Sequence, residues 1–158
     1  MERFIEYIRE AENELKTIDH IVYVTFPLIK DKNLLIKSLL GIKEAVVKCI
    51  NSILQYEYIC KRIELTEDPI NNFGIFKEKC SKRYLIDERE VKIIENLFDL
   101  ARSHRKSPMV FLKDGKVVIL SDSMLKKTFT IEDVKKFLEV SKKVAGKTKW
   151  VLQRFSSN

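Results

Sequence analysis

Apolar residues recur along this chain at steps of three and four, the spacing that keeps side chains on one side of an α-helix. The longest series is Leu35, Leu39, Ile42, Val46, Cys49, Ile53, Tyr56, Cys60 and Ile63. A second row, Ile36, Leu40, Val47, Ile50 and Leu54, lies beside it. Together they predict a helix from Leu34 to about Arg62 whose apolar face is too wide for one neighbour, as in the central member of a bundle. Gly41, inside this stretch, costs about 1 kcal/mol relative to Ala in a helix, so its presence predicts close approach of another helix.

The remaining pattern falls around this segment. Phe4, Ile8, Ala11, Leu15, Ile18 and Val22 predict a first helix over residues 2–29, opposite a charged face of Glu6, Arg9, Glu10, Glu12 and Lys16. Past Thr17 this helix turns apolar on several sides, which predicts deeper burial or contact with a second chain. Pro27 lacks an amide hydrogen and is expected to kink or end it. Asp31 or Asn33 then caps the central helix, and the short link makes the two helices antiparallel neighbours. Asp68-Pro69 opens a short third helix over 69–80 with Ile70, Phe73 and Phe76 on one side. Asp87 with Glu90 forms a capping box for a fourth helix, whose inner stripe is Val91, Ile94, Leu97, Phe98 and Ala101 and which ends near His104.

At Ser107-Pro108 the period changes. Met109–Leu112 and Lys116–Leu120 are β-prone runs joined by Asp114-Gly115, a strong hairpin signal. Lys127–Phe129 is a candidate third strand. Thr130, with Asp133 three residues later, caps a last helix whose inner stripe is Val134, Leu138, Ser141, Ala145, Thr148, Leu152 and Phe155. The expected fold is therefore mainly α: an antiparallel bundle of four long helices and one short helix, with a small β-hairpin near residues 109–120. It forms one domain over residues 1–158.

Composition agrees with long helices. Only four Gly and three Pro occur among 158 residues, whereas charged residues reach 34%. The start has no cleavable leader pattern, and Asp19, His20, Lys37, Lys43 and Lys48 interrupt the longest apolar runs, so no membrane span is expected. Cys49 and Cys60 lie about 16 Å apart along one helix, too far to bridge. With Cys80 they are expected as reduced thiols in a cytoplasmic protein.

Charge changes the picture more. Residues 123–158 hold nine Lys/Arg against three Asp/Glu, so almost all of the net +7 falls there. The last helix carries Lys135, Lys136, Lys142, Lys143, Lys147, Lys149 and Arg154. Such a basic amphipathic helix suits nucleic-acid backbone, an acidic protein or an anionic membrane surface, or is a solvated face. Arg102-Ser103-His104-Arg105-Lys106 is the sharpest local cluster. It suits a phosphate, or equally offsets the dipole of a helix C-terminus. Candidate anion or nucleic-acid contacts are therefore Arg102, His104, Arg105, Lys106, Lys142, Lys143 and Lys149. No phosphate loop, nucleophile elbow or metal-spaced Cys/His cluster occurs, so no catalytic residue, metal or cofactor is expected. His20 is expected as a half-buried histidine hydrogen-bonded within the bundle.

Ile18-Asp19-His20, Phe26 to Asp31, Ile53 to Tyr58, Lys106 to Met109 and Leu120-Ser121-Asp122 resemble stretches of small archaeal helical proteins of uncharacterised function. That resemblance implies no activity. A more distant similarity is to HEPN bundles, helical and often RNA-cleaving. Their motif sets an Arg further ahead of a His than the single Ser103 between Arg102 and His104, so no catalytic role carries over. The first functional expectation is a non-catalytic interaction module that self-associates as a homodimer through its wide apolar face. The alternatives are nucleic-acid binding through the basic C-terminal helix, and an RNA-processing bundle that lacks the usual motif.

Overall fold

The first helix does not stop at Pro27. In the computed structural model, which describes residues 2–156, α1 (Glu2–His20) runs into a π-helical turn (Ile21–Thr25) and then α2 (Phe26–Ile29). The Phe26 amide bonds to the Ile21 carbonyl, five residues back. This wider turn lies immediately before the proline, which has no amide to donate, so the helical path continues past it. Lys30 ends it in the left-handed region at φ 57°. Asp31 accepts from the Asn33 amide at 2.9 Å and caps α3 (Lys32–Ile59).

α3 is the hub. Leu35, Leu39, Ile42, Val46, Cys49 and Ile53 are all buried, with α1 and α6 packed against the helix. It ends three residues earlier than the periodicity suggests, because Cys60 caps it and Lys61 is left-handed. Ile63 is buried all the same, beyond the helix. Gly41 is where α1 comes close: a Cβ there would lie 2.7 Å from Ile18 Cδ1.

Asp68 caps α4 (Pro69–Ile75), which passes into a second π turn (Phe76–Cys80). Phe76 and Cys80 are buried, but Ile70, expected beside them, is exposed. Tyr84 and Ile86, in the following turn, join the core without any periodic signal to announce them. The Asp87–Glu90 capping box then opens α5 (Glu88–Lys106), which packs on α6 and α3.

β1 (Met109–Lys113), β2 (Lys116–Leu120) and β3 (Lys126–Phe129) form an antiparallel sheet in that order. Asp114 (φ 52°) and Gly115 (φ 77°) are both left-handed, as a tight hairpin matching strand twist requires. Val117, Ile119 and Phe129 face the helices and belong to the core, so the hairpin is not left to stand alone. Thr130 and Asp133 exchange hydrogen bonds of 2.9–3.2 Å where the chain enters α6 (Ile131–Ser156). The protein is thus mainly α, with four long helical segments and one short one packed as a bundle beside a three-stranded sheet. The expected single domain also covers Met1, Ser157 and Asn158, which lie outside the described residues.

Most of the wide apolar face of α3 is covered within the chain, with Ile36, Leu40 and Val47 half-buried. The apolar end of the first helical segment, expected either buried or against a second chain, divides: Ile18 and Val22 are buried. Tyr23, Val24, Leu28 and Ile29 are exposed, Leu28 to 83%. Among the described residues no helix is long and apolar enough to cross a membrane.

Candidate functional site

The basic last helix turns much of its charge inward. Lys142 bonds to Asp19 of α1 and lies 3.3 Å from Glu139. Burial alone would lower the pKa of its ammonium group; the bonds to Asp19 and Glu139 outweigh that and hold it above its ordinary value. Lys149 reaches Glu12 at 2.8 Å, and Lys147 reaches Glu90 at 2.6 Å and the Leu85 carbonyl at 2.8 Å. Lys135 lies 3.7 Å from Glu132 and over the Tyr23 ring. These amphipathic side chains stitch α6 to α1 and α5. Of the sequence candidates on this helix, Lys143 stays exposed on its outer side, as does Lys136.

The cluster at the end of α5 divides. Arg102 and Lys106 are one turn apart and face the same cleft, with Ser103 between them. His104 and Arg105 lie outside it, and Arg105 is exposed. The opposite wall comes from the sheet: Ile119 of β2, Lys127 of β3, and Ser121, Ser123 and Leu125 of the loop joining them. The cleft is open to solvent and has a volume of about 270 Å³. Ile119 and Lys127 are register partners, which puts both on the face turned toward α5.

Three cations therefore converge here from two elements. Asp99 also lines the cleft and lies 3.3 Å from Arg102 Nη1, an exposed i,i+3 pair. Pairs of this kind contribute about 0.2–1 kcal/mol and yield readily to a stronger anion. Lys106 partly offsets the carbonyl end of α5, whereas Arg102 and Lys127 stand clear of it.

The walls are held firmly. Ser107 Oγ donates to the Leu120 carbonyl, tying the end of α5 to β2. In the β2–β3 loop the Ser121 amide donates to Leu125 O at 2.9 Å, and the Leu125 amide donates to Ser121 Oγ at 3.0 Å. The hydroxyls of Ser121 and Ser123 lie 3.0 Å apart. Either hydroxyl can be the donor of this pair, and both serines line the cleft.

Sequence reading grouped Arg102 and Lys106 in one local cluster, and both line the cleft. It did not join Lys127 to them, because the hairpin that brings residue 127 back beside residue 102 is a long-range relation. His20, expected half-buried and hydrogen-bonded in the bundle, is exposed on α1. Cys49 and Cys80 are buried and Cys60 is half-buried; all three are free thiols. Burial pushes the Cys49 thiol up to about 12 and the Cys80 thiol up to about 11, so neither is primed as a nucleophile at neutral pH. Among the described residues no group of three or more His, Cys, Asp or Glu side chains is placed to hold a metal ion.

A second, more open recess of about 340 Å³ lies between Leu85 and Trp150, with Arg83 and Phe155 beside it. Arg83 is already engaged with Glu57 at 3.2 Å, and the Arg154 guanidinium covers the Trp150 ring at 4.6 Å. No protein-family model, no curated protein and no solved structure matches the chain.

Proposed function

We propose that the protein is a non-catalytic interaction module that recognises a phosphate-bearing polyanion at the corner between α5 and the sheet. The observation that carries this reading is the convergence of Arg102, Lys106 and Lys127 on one cleft with serine hydroxyls in its wall. An arginine fork and two ammonium groups are the donors that phosphate oxygens need, and hydroxyl donors fix orientation. Regional charge supports it: residues 102–127 hold seven Lys/Arg and only two Asp/Glu. The internal ion pairs of Lys142, Lys147 and Lys149 weigh against α6 as the recognition surface.

The test is titration with inorganic polyphosphate and with a single-stranded RNA oligonucleotide over a range of salt. Binding should weaken as salt rises, and Arg102→Glu with Lys127→Glu should abolish it. Lys136→Glu with Lys143→Glu, equal in charge change but on the outer side of α6, should leave most of the affinity. Equal loss from both pairs would reduce the effect to net charge and end the assignment.

Self-association is a second reading, now supported by Tyr23, Val24, Leu28 and Ile29 at one end of the first helical segment rather than by α3. A sedimentation profile that stays monomeric at micromolar concentration would remove it.

A further inference from the structure

The rim of the same cleft is apolar in a way that phosphate binding alone does not require. Met124 and Leu125, at the tip of the β2–β3 loop, are each 71% exposed. Met109 is exposed at the same end of the sheet, since it is in register with Leu120, and Leu120 with Lys126. Met124 and Leu125 are adjacent and held out on a loop closed by its own hydrogen bonds, so they form one apolar tip rather than scattered single residues. Immediately beside them lie Lys126 and Lys127, with Arg102 and Lys106 across the cleft.

We infer that this end of the sheet docks on an anionic phospholipid surface, with Met124 and Leu125 entering the headgroup–acyl boundary and a lipid phosphate seated among Arg102, Lys106 and Lys127. The inference rests on the polyanion reading above and names its partner. Charge complementarity chooses the occupant: cations ring an apolar tip, the arrangement that meets negative headgroups and hydrocarbon together. A nucleic acid is the poorer fit. Its unpaired bases are held by aromatic faces, and the cleft lining has no aromatic residue. A protein strand would more readily be met by a free sheet edge than by a closed loop tip. Met124 and Leu125 are followed directly by Lys126 and Lys127, and Leu125 and Lys127 line the same cleft as Arg102 and Lys106, so apolar tip and cations are neighbours.

The experiment is co-sedimentation with vesicles of phosphatidylcholine alone and of phosphatidylcholine with phosphatidylserine. Soluble inorganic polyphosphate and single-stranded RNA are titrated in parallel. The full chain should bind the serine-lipid vesicles and not the neutral ones. Met124→Ser, outside the cleft lining and without change of charge, should lower vesicle partition roughly tenfold while changing polyphosphate affinity far less. Leu125→Trp, which keeps the site apolar and suits the interface, should raise partition. Arg102→Glu with Lys127→Glu should abolish both vesicle and polyphosphate binding. Vesicle binding indifferent to Met124 and Leu125 would overturn the docking proposal. So would binding of polyphosphate or RNA without vesicles, although the polyanion reading would then stand. No binding to any probe would overturn both.

Discussion

Lys149 Nζ on the last helix lies 2.8 Å from Glu12 Oε1 on the first, across 137 residues of chain. Neither side chain is deeply buried, so the pair holds α6 to α1 without contributing much energy. Lys149→Ala should lower stability by less than about 1 kcal/mol and leave polyphosphate affinity unchanged. Urea unfolding and a binding titration on one preparation read both. A large loss of affinity would return the recognition surface to α6.

Glu57 is 1% exposed and is held by Arg62 at 2.6 Å and Arg83 at 3.2 Å, both of which reach water themselves. The Glu57 hydrogen bond is the main reason the Arg62 guanidinium is held above its ordinary pKa. Removing the acid leaves two cations free to turn outward; removing both cations strands a buried carboxylate. Arg62→Ala with Arg83→Ala should therefore cost about 3–5 kcal/mol, and Glu57→Gln clearly less. Urea midpoints at neutral pH measure the difference, and equal costs would contradict the argument.

The buried thiols make a pH prediction. Cys49 titrates at about 12 in the folded chain against an ordinary 9.0, and Cys80 at about 11, each because burial disfavours the thiolate. Above pH 9 the unfolded chain gives up protons that the folded chain keeps, so stability falls as pH rises. Each thiol contributes a slope of about 1.4 kcal/mol per pH unit. Cys49→Ala should remove about half of the cysteine-dependent fall between pH 9 and 10. Urea unfolding at closely spaced pH values reads it, and an unchanged slope would refute the assignment.

Gly41 and Ile18 are coupled by contact. An added methyl at Gly41 meets Ile18 Cδ1 at 2.7 Å, while the same methyl gains about 1 kcal/mol of helix propensity. Gly41→Ala alone should therefore stay within about 1 kcal/mol of wild type. Ile18→Val removes the obstructing methyl and alone costs about 0.5–1.5 kcal/mol. The double variant should be more stable than the sum of the two by at least about 0.5 kcal/mol. Strict additivity would mean that the helices relax apart at this point.

What could be read from the sequence follows range along the chain. Asp31, Asp68, the Asp87–Glu90 box and the Thr130–Asp133 pair act within three residues, and each caps the helix expected of it. Asp114-Gly115 likewise sets its hairpin, and the stripe from Val134 to Leu152 is buried throughout. The π turns before Pro27 and before Ser81 were not legible, since each is a single widened turn with no repeating pattern to announce it. Ile70 illustrates the limit of periodicity: it lies on the expected side of a short helix, but no neighbour covers it. The candidate site depends on range in the same way. Arg102 and Lys106 stand out as a local cluster, whereas Lys127 joins them only through sheet register. Which lysines of α6 are already paired depends on Asp19, Glu12 and Glu90, residues far away in the chain.

The most direct measurement is polyphosphate affinity for two charge-matched variants. One is Arg102→Glu with Lys127→Glu, at the cleft; the other is Lys136→Glu with Lys143→Glu, on the outer side of α6. The first variant should lose binding and the second keep most of it. Binding that survives in the first and disappears in the second would contradict the cleft as the recognition site.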